Sequence, residues 1–335
     1  MLVEHIRSHA RDTAQPMTPI STDTVYDVAV ILINYNSSEH TIACVSSILQ
    51  HTQQGVSYGI VIIDNASAED DVNRLAQHIA ELDHEVPLKL FRSRLNTGFA
   101  GGNMLGVQFI SASYYFFLNN DCRLQNDCID LLHSFCETHE DTALCSPQLF
   151  HEDGRHQPCF DYFPYLRTKL FGLGILRLSY GKRYIRRKQL YTEPVQVDVV
   201  SGSQMFVRAS AFDDIGGFDT TFFLYCEEED IALRLARAGH KAYLVPEARN
   251  THLGGGSTVP SYDIRKEFYI SFLYFYRKHF GLLKQQLLKA ILTLRLLRKS
   301  LSRQDDFRLA LFVAAGAHFK HSLKHKQKLQ KMLTI

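Results

Sequence analysis

The chain has 335 residues, 45% of them hydrophobic and 21% charged, which fits a folded globular body and excludes disordered, collagen-like and coiled-coil classes. Its seven cysteines are scattered, odd in number and without a Cys-x-x-Cys pair, a pattern of reduced thiols in a cytoplasmic protein rather than of a disulfide framework or a zinc site. The net charge of +2 hides a split, with sixteen Lys/Arg and three acids from Arg265 onward against twenty-one and thirty-two before it, so an acidic body precedes a basic tail.

Residues 1–24 are polar, without the apolar run of a signal peptide, and read as a flexible lead-in. No stretch reaches the roughly 18 apolar residues of a membrane span. Residues 28–33 form a continuous apolar run suited to a buried parallel strand, ending in Asn34-Tyr35-Asn36. Thr41, Val45, Ile48 and Leu49 then share a helical face, and residues 60–63 predict a second buried strand running into Asp64-Asn65-Ala66-Ser67. Strand, helix, strand is a βαβ unit, which binds ligands at the carboxyl ends of its strands.

The pattern repeats. A strand at 89–92 leads to the glycine-rich loop Asn96-Thr97-Gly98-Phe99-Ala100-Gly101-Gly102-Asn103, then to a helix through Leu105, Phe109 and Ala112. A strand at 114–118 enters Asn119-Asn120-Asp121, and a helix through Leu131, Leu132 and Phe135 precedes a strand at 143–145. Residues 151–194 mix aromatic, basic and turn-forming residues and read as an irregular insertion on the acceptor side of a site.

Regularity returns with strands at 197–200 and 204–207 around Ser201-Gly202-Ser203. The acidic run Glu227-Glu228-Glu229-Asp230 opens a helix that ends at Gly239, and a strand at 241–246 precedes His252 and Gly254-Gly255-Gly256-Ser257-Thr258. Residues 25–264 therefore read as one α/β domain, a Rossmann-like, mostly parallel sheet flanked by helices, and 265–335 as a basic helical extension.

Four groups carry candidate chemistry, each beside a plainer reading. Asp121 at a strand end suits a divalent cation bridging phosphates, or caps the next turn. The acidic run would raise at least one carboxyl into general-base range, or would simply oppose the helix dipole. His252 would touch a metal or phosphate, or be structural. The loop at 96–103 resembles a phosphate cradle, yet it is neither Gly-x-Gly-x-x-Gly in the first βα turn nor a P-loop, so dehydrogenase and NTPase readings lack their defining feature. Gly202-Ser203-Gln204 lacks the second glycine of a nucleophile elbow, which argues against a serine hydrolase.

Taken in order, Asn34-Tyr35-Asn36, Asp64-Asn65-Ala66-Ser67, the 96–103 loop, Asn119-Asn120-Asp121, Ser201-Gly202-Ser203, Gly216-Gly217-Phe218-Asp219, the stretch from Phe223 to Asp230 and the His252 segment resemble family 2 glycosyltransferases of the GT-A fold. Within them the closest resemblance is to the rhamnosyltransferase-like group, over about residues 27–280. The resemblance implies a nucleotide-sugar pocket formed by Asn34, Tyr35, Asn36, Asp64, Asn96, Gly98, Gly102, Asn103, Asn120, Gly202 and Ser203. It implies Mg²⁺ or Mn²⁺ held by Asp121 and His252, and a base at Glu228 or Glu227. The family's Glu-Asp pair is Glu227-Glu228 here, and the first acid of its Asp-x-Asp element is Asn119.

The implied reaction is an inverting transfer from a dTDP- or UDP-sugar, dTDP-rhamnose first, to a glycan or an undecaprenyl-diphosphate-linked acceptor in surface polysaccharide (O-antigen) synthesis. Galactofuranose or hexose transfer from UDP is the alternative, and a non-catalytic sugar-nucleotide or glycan-binding protein is the alternative of another class. In the tail, Leu287, Ile291 and Leu294 share a helical face near Lys284, Lys289, Arg295, Arg298 and Lys299. Such a helix suits an anionic membrane surface, or packs on the protein or on a second copy in a homodimer. No nucleic-acid partner is expected.

Overall fold

The structure is a computed structural model that describes residues 25–331, apart from 53–54, 181–183, 255–260 and 301–303. The lead-in and residues Gly255, Gly256, Ser257 and Thr258 of the glycine-rich run lie outside the described residues. In chain order the elements are β1 (Val25–Asn34), α1 (Ser38–His51), β2 (Tyr58–Asn65), α2 (Glu69–Glu81), β3 (Leu88–Ser93), α3 (Gly98–Gly106), β4 (Ser111–Asn119), β5 (Cys122–Leu124), α4 (Cys128–Thr138) and β6 (Thr142–Phe150). There follow β7 (His156–Gln157), β8 (Phe160–Asp161), α5 (Leu166–Tyr180), β9 (Val195–Val197), β10 (Val199–Val200), β11 (Gln204–Arg208), α6 (Ala209–Asp214), α7 (Glu227–Arg237), β12 (Lys241–His252), α8 (Tyr262–Ser300) and α9 (Gln304–Ala314).

The main sheet runs β3-β2-β1-β4-β11-β6-β12-β5, with β7 beside β6 and β9 beside β12. Strands β3, β2, β1 and β4 are parallel, whereas β11 is antiparallel to both its neighbours, so the sheet is mixed. The apolar run of β1 is buried on both faces because side chains alternate across a strand. Val28, Val30 and Leu32 pack under α1, α2 and α4, while Ala29 and Ile31 pack under α3, α6, α7 and α8. All seven cysteines are buried and free.

Several boundaries differ from the expectation, each for a physical reason. The 96–103 segment is not a loop ahead of a helix: Gly98 already opens α3, and Ala112 belongs to β4. The glycines there serve contact, since a side chain on Gly102 would meet Ile33 Cδ1 at 2.9 Å and one on Gly106 would meet Ile31 Cγ2 at 2.5 Å. Helix α2 is unassigned in the sequence reading because only Val72 and Leu75 of its thirteen residues are buried. Strand β12 continues past Pro246, which cannot donate to a ladder, through a register shift between Val245 and Arg249. The segment 151–194 is more regular than expected, with β7, β8 and α5, although α5 is broken at Gly172.

The extension is woven into the body. Ile270, Phe272, Leu273, Phe275 and Tyr276 of α8 join the core beneath α7. Lys278 binds both Asp219 and Asp230, at 2.8 and 2.7 Å. Beyond Gly281, where α8 kinks, Leu288 and Leu296 face inward but Leu283, Leu287 and Leu294 face solvent. The chain then returns across the body. Ser322 and Leu323 bind the buried Glu267 carboxylate, and Gln330 exchanges a backbone bond with Arg94.

Because Ile31 Cγ2 lies next to its own backbone and cannot swing away, Gly106→Val should destabilise by about 1–3 kcal/mol. That outweighs the gain from replacing glycine in a helix, which is at most about 1 kcal/mol. The check is the midpoint of thermal or urea unfolding, which should fall; an unchanged midpoint would show that α3 stands further from β1.

Candidate active site

The site forms where β1, β2 and β4 end, and buried amides tie those ends together. Asn34 Nδ2 donates to Asp64 Oδ1 at 3.0 Å, Ser67 Oγ at 3.1 Å and Asp71 Oδ2 at 2.9 Å, and Asn34 Oδ1 accepts from Thr41 Oγ1 at 2.8 Å. Asn120 Nδ2 in turn donates to Thr41 Oγ1 at 2.8 Å and Ser37 Oγ at 2.7 Å. Asn34 is wholly buried and its amide fully engaged, tying the end of β1 to Asp64, Ser67, Asp71 and Thr41. Tyr35 is half-buried and Asn36 exposed, with Asn36 in the left-handed region at φ 51° and its Oδ1 accepting from Ala68 N.

Asp64 is buried, and burial raises its carboxyl above the usual range against hydrogen bonds from Ser67 and Asn34 and the charge of Arg92. Arg92, absent from the sequence candidates, lies 3.6 Å from Asp64 and donates to Ser67 O, while its buried Nη1 has no hydrogen-bond partner among the described residues. A cation one strand beyond Asp64 was visible in sequence only as the end of an amphipathic strand. Asn65 is a second omission. It accepts from Thr97 N and donates to Asn96 Oδ1 and Gly98 O, which fixes the entry to α3.

Gly98 has φ +75°, and a side chain there would lie 2.1 Å from Phe223 O. Phe99 N donates to that same carbonyl at 2.9 Å, joining the start of α3 to the loop before α7. Asn103 is buried and bonds Phe99 O within its own helix. Gly102 faces Ile33 and Asn65. Of the glycine-rich group, then, Gly98, Gly102 and Asn103 belong to a helix packed on the strands.

Asp121 and His252 do come together, although distant in sequence. The end of β12 pairs antiparallel with β5, setting His252 opposite Cys122 and bringing His252 Nε2 within 3.3 Å of Asp121 Oδ1. With Cys122 Sγ the ligand atoms lie within 4.8 Å of one another. The Cys122 thiol donates to Ser203 O, and burial raises it well above its ordinary value. One carboxylate and one imidazole fit a divalent cation that takes its remaining ligands from phosphate oxygens. His252 Nδ1 faces Gln157 Nε2 at 3.3 Å, while Gln157 Oε1 is buried without a partner among the described residues. The reversed amide would accept Nδ1–H and leave the Nε2 lone pair to a cation.

The acidic run splits by role. Asp230 is committed to Arg234, Lys278 and His279, and those partners hold it below the usual range despite burial. Glu227 is buried with Oε1 unpartnered among the described residues, and burial followed by the charge of Glu228 raises it well above the ordinary value. Glu228 is half-buried and also raised, by burial first. Its carboxylate carbon lies 3.3 Å from where a side chain on Gly202 would begin. Asn119 N donates to Ser203 O at 2.8 Å, so the Gly202-Ser203 turn spans the gap from Glu228 to the strand carrying Asp121. Tyr225 and Cys226 precede α7 with φ of 75° and 71°, a pair of left-handed non-glycine residues that costs on the order of 1–3 kcal/mol each and aims the first turn of the helix.

The glycosyl transferase family 2 model matches residues 29–216, more than half of the chain. The chain belongs to that family. It is a glycosyltransferase of GT-A fold. Rhamnosyltransferase WbbL of Escherichia coli is 30% identical over 208 residues, 58% of this chain and 72% of that protein. The N-acetylglucosaminyl-diphospho-decaprenol L-rhamnosyltransferase of Mycobacterium tuberculosis is 32% identical over 134 residues, 38% of this chain and only 44% of its own length. GalNAc-T7, solved with UDP, GalNAc and Mn²⁺, superposes with a TM-score of 0.53 at 17% identity, over 76% of this chain and 50% of its own, a likeness of fold alone.

Because the folded protein keeps protons on Glu227 that the unfolded chain releases, this group's share of stability declines as pH rises from the ordinary glutamate range through the raised value. Glu227→Gln should therefore raise the unfolding midpoint at pH 8 and change it little near pH 4. Calorimetry at both pH values tests this, and an equal or lower midpoint at pH 8 would place the Glu227 charge in a compensated site.

Proposed function

We propose that the enzyme is an inverting rhamnosyltransferase that moves L-rhamnose from dTDP-rhamnose to a lipid-linked glycan of a bacterial surface polysaccharide. The observation that carries the chemistry is the placement of Glu228 against the Gly202-Ser203 turn, which leads straight to Asp121 and His252. A base and a diphosphate-binding pair on opposite sides of one turn are what single displacement requires. The rhamnosyl donor is favoured by the two rhamnosyltransferase relatives, and the diphosphate-linked acceptor by the name of the mycobacterial one.

Glu228 takes the proton of the acceptor hydroxyl as its oxygen attacks the anomeric carbon. The bond from that carbon to the diphosphate breaks with inversion, and the nucleoside diphosphate leaves with the electron pair. Burial raises Glu228, which improves its match to an alcohol proton at the cost of ionisation at low pH. Asp121 and His252 would hold Mg²⁺ or Mn²⁺, which supplies positive charge to the diphosphate. Asp64, Arg92 and the backbone around Asn36 and Asn96 form the nucleoside end, with Asn34 and Asn120 keeping it in place.

The tail supports a surface location. No helix among the described residues is long and apolar enough to cross a membrane. Yet Leu283, Leu287 and Leu294 stand exposed at 85%, 49% and 62% beside Lys284, Arg298 and Lys299, an arrangement suited to an anionic bilayer face.

The test is a donor panel of dTDP-rhamnose, UDP-galactofuranose, UDP-glucose, UDP-galactose and UDP-N-acetylglucosamine, reading released nucleoside diphosphate with and without Mg²⁺ or Mn²⁺. Metal-dependent release from dTDP-rhamnose is expected, falling by about 10²-fold or more in Glu228→Gln and at least as far in Asp121→Ala. Release from a UDP-sugar instead would overturn the donor assignment, and near-normal Asp121→Ala would overturn the metal assignment.

A further inference from the structure

A second concave feature lies in the 151–194 segment, away from Asp64 and Asn34. A cavity of 440 Å³ is lined by Arg186, Arg187, Lys188, Pro158 and Leu173. Three consecutive cations face one space whose remaining walls are apolar. The only acid tied to them by an ion pair is Asp161, which meets Arg187 Nη1 at 2.6 Å and leaves Arg187 Nε buried without a partner among the described residues. The sequence shows this run as charge within the irregular 151–194 segment, and the transfer chemistry does not use it.

Its position relative to Glu228 follows from the strands. Pro158 runs into β8, which pairs with β10, and Ser201 N donates to Cys159 O at 2.8 Å. The next residue is Gly202, against the Glu228 carboxylate. Asp161 is near enough for its charge to act on Glu228. The cationic cavity is thus one strand removed from Glu228. Leu173 belongs to α5, whose Leu170, Phe171, Ile175 and Leu178 are exposed. Cations on one wall and an uncovered apolar helix on the other match an amphiphile with a phosphorylated head and a hydrocarbon tail.

We infer that Arg186, Arg187 and Lys188 bind the diphosphate of a prenyl-diphosphate-linked acceptor, with the first isoprene units along α5. The inference deepens the lipid-linked reading and rests on it. The bound diphosphate fixes the sugar it carries at a set reach from Glu228, so these side chains act on acceptor affinity and positioning and not on donor binding.

The test compares farnesyl-diphosphate-linked N-acetylglucosamine with its phosphate-free octyl glycoside as acceptors, for the unaltered enzyme and for Arg186→Gln/Arg187→Gln/Lys188→Gln. Each lost charge-assisted bond is worth about tenfold in affinity. The unaltered enzyme should therefore show a KM at least about tenfold lower for the diphosphate-bearing acceptor. The triple variant should erase that preference while leaving donor KM and octyl glycoside KM unchanged. Arg186→Gln/Lys188→Gln, which spares the Arg187–Asp161 pair, gives the same reading if the triple variant does not fold. Equal use of both acceptors by the unaltered enzyme would overturn the lipid-linked reading and the cavity with it. A preference that survives in the variants would overturn the cavity alone. So would intact preference combined with lost binding to phosphatidylglycerol vesicles, which would assign the cations to phospholipid head groups.

Discussion

The geometry of this enzyme depends on one chain of buried hydrogen bonds, from Asp64 through Asn34 and Thr41 to Asn120. Parallel strands end with unpaired polar backbone and no intrinsic reason to stay in register where a ligand must bind. Here amide and hydroxyl side chains bridge the ends of β1, β2 and β4 inside the protein, where an unmade bond costs about 1–3 kcal/mol. Each group satisfies the next, so the Asp64 end and the Asp121 end cannot shift independently. Asn34 and Asn120 matter for what they hold, and the residues free to meet a ligand lie just above them.

The wall that bears Glu227 and Glu228 is set against this floor by two backbone links, Phe99 N to Phe223 O and Asn119 N to Ser203 O. The first requires glycine at position 98, since any side chain would strike the Phe223 carbonyl. Between them the left-handed pair Tyr225 and Cys226 turns the chain into α7. The helix is then fastened from behind by Lys278 and His279 on Asp230. That anchoring lets Glu227 and Glu228 remain crowded and poorly solvated, the condition that raises a carboxyl toward the range of a useful base. It also explains why α8 belongs to the working enzyme: its first half is the back wall of the acidic cluster.

Much of this was legible in the sequence, and the remainder fails for identifiable reasons. The strands β1, β2 and β4 announce themselves as apolar runs with polar ends, and the order of those ends suffices to suggest the family. Helix α3 was misread because glycines mark loops when only local freedom is considered, whereas Gly102 and Gly106 are dictated by strand contact across the layer. The end of β12 was hidden by Pro246, and with it the reason why His252 reaches Asp121. Arg92 and Asn65 carry no distinctive spacing, and their roles exist only once β3 lies beside β2. The Arg186 to Lys188 run is plain as charge, but nothing in sequence shows that it faces a cavity next to Gly202. The exposed leucines of α8 follow from its packing: Leu288 and Leu296 take the inner side, which leaves Leu287 and Leu294 outward.

The central claim is that Glu228, and not Glu227, removes the acceptor proton. The most direct test is the pH dependence of kcat/KM for the unaltered enzyme, Glu227→Gln and Glu228→Gln, each with donor saturating and acceptor varied. Burial predicts an acid limb whose midpoint lies above the ordinary glutamate value of about 4.3. That limb should persist near the same pH in Glu227→Gln, because burial keeps Glu227 protonated where Glu228 ionises, and it should vanish in Glu228→Gln along with most of the rate. An acid limb that survives unchanged in Glu228→Gln would contradict the account and move the base to Glu227 or to a group outside α7.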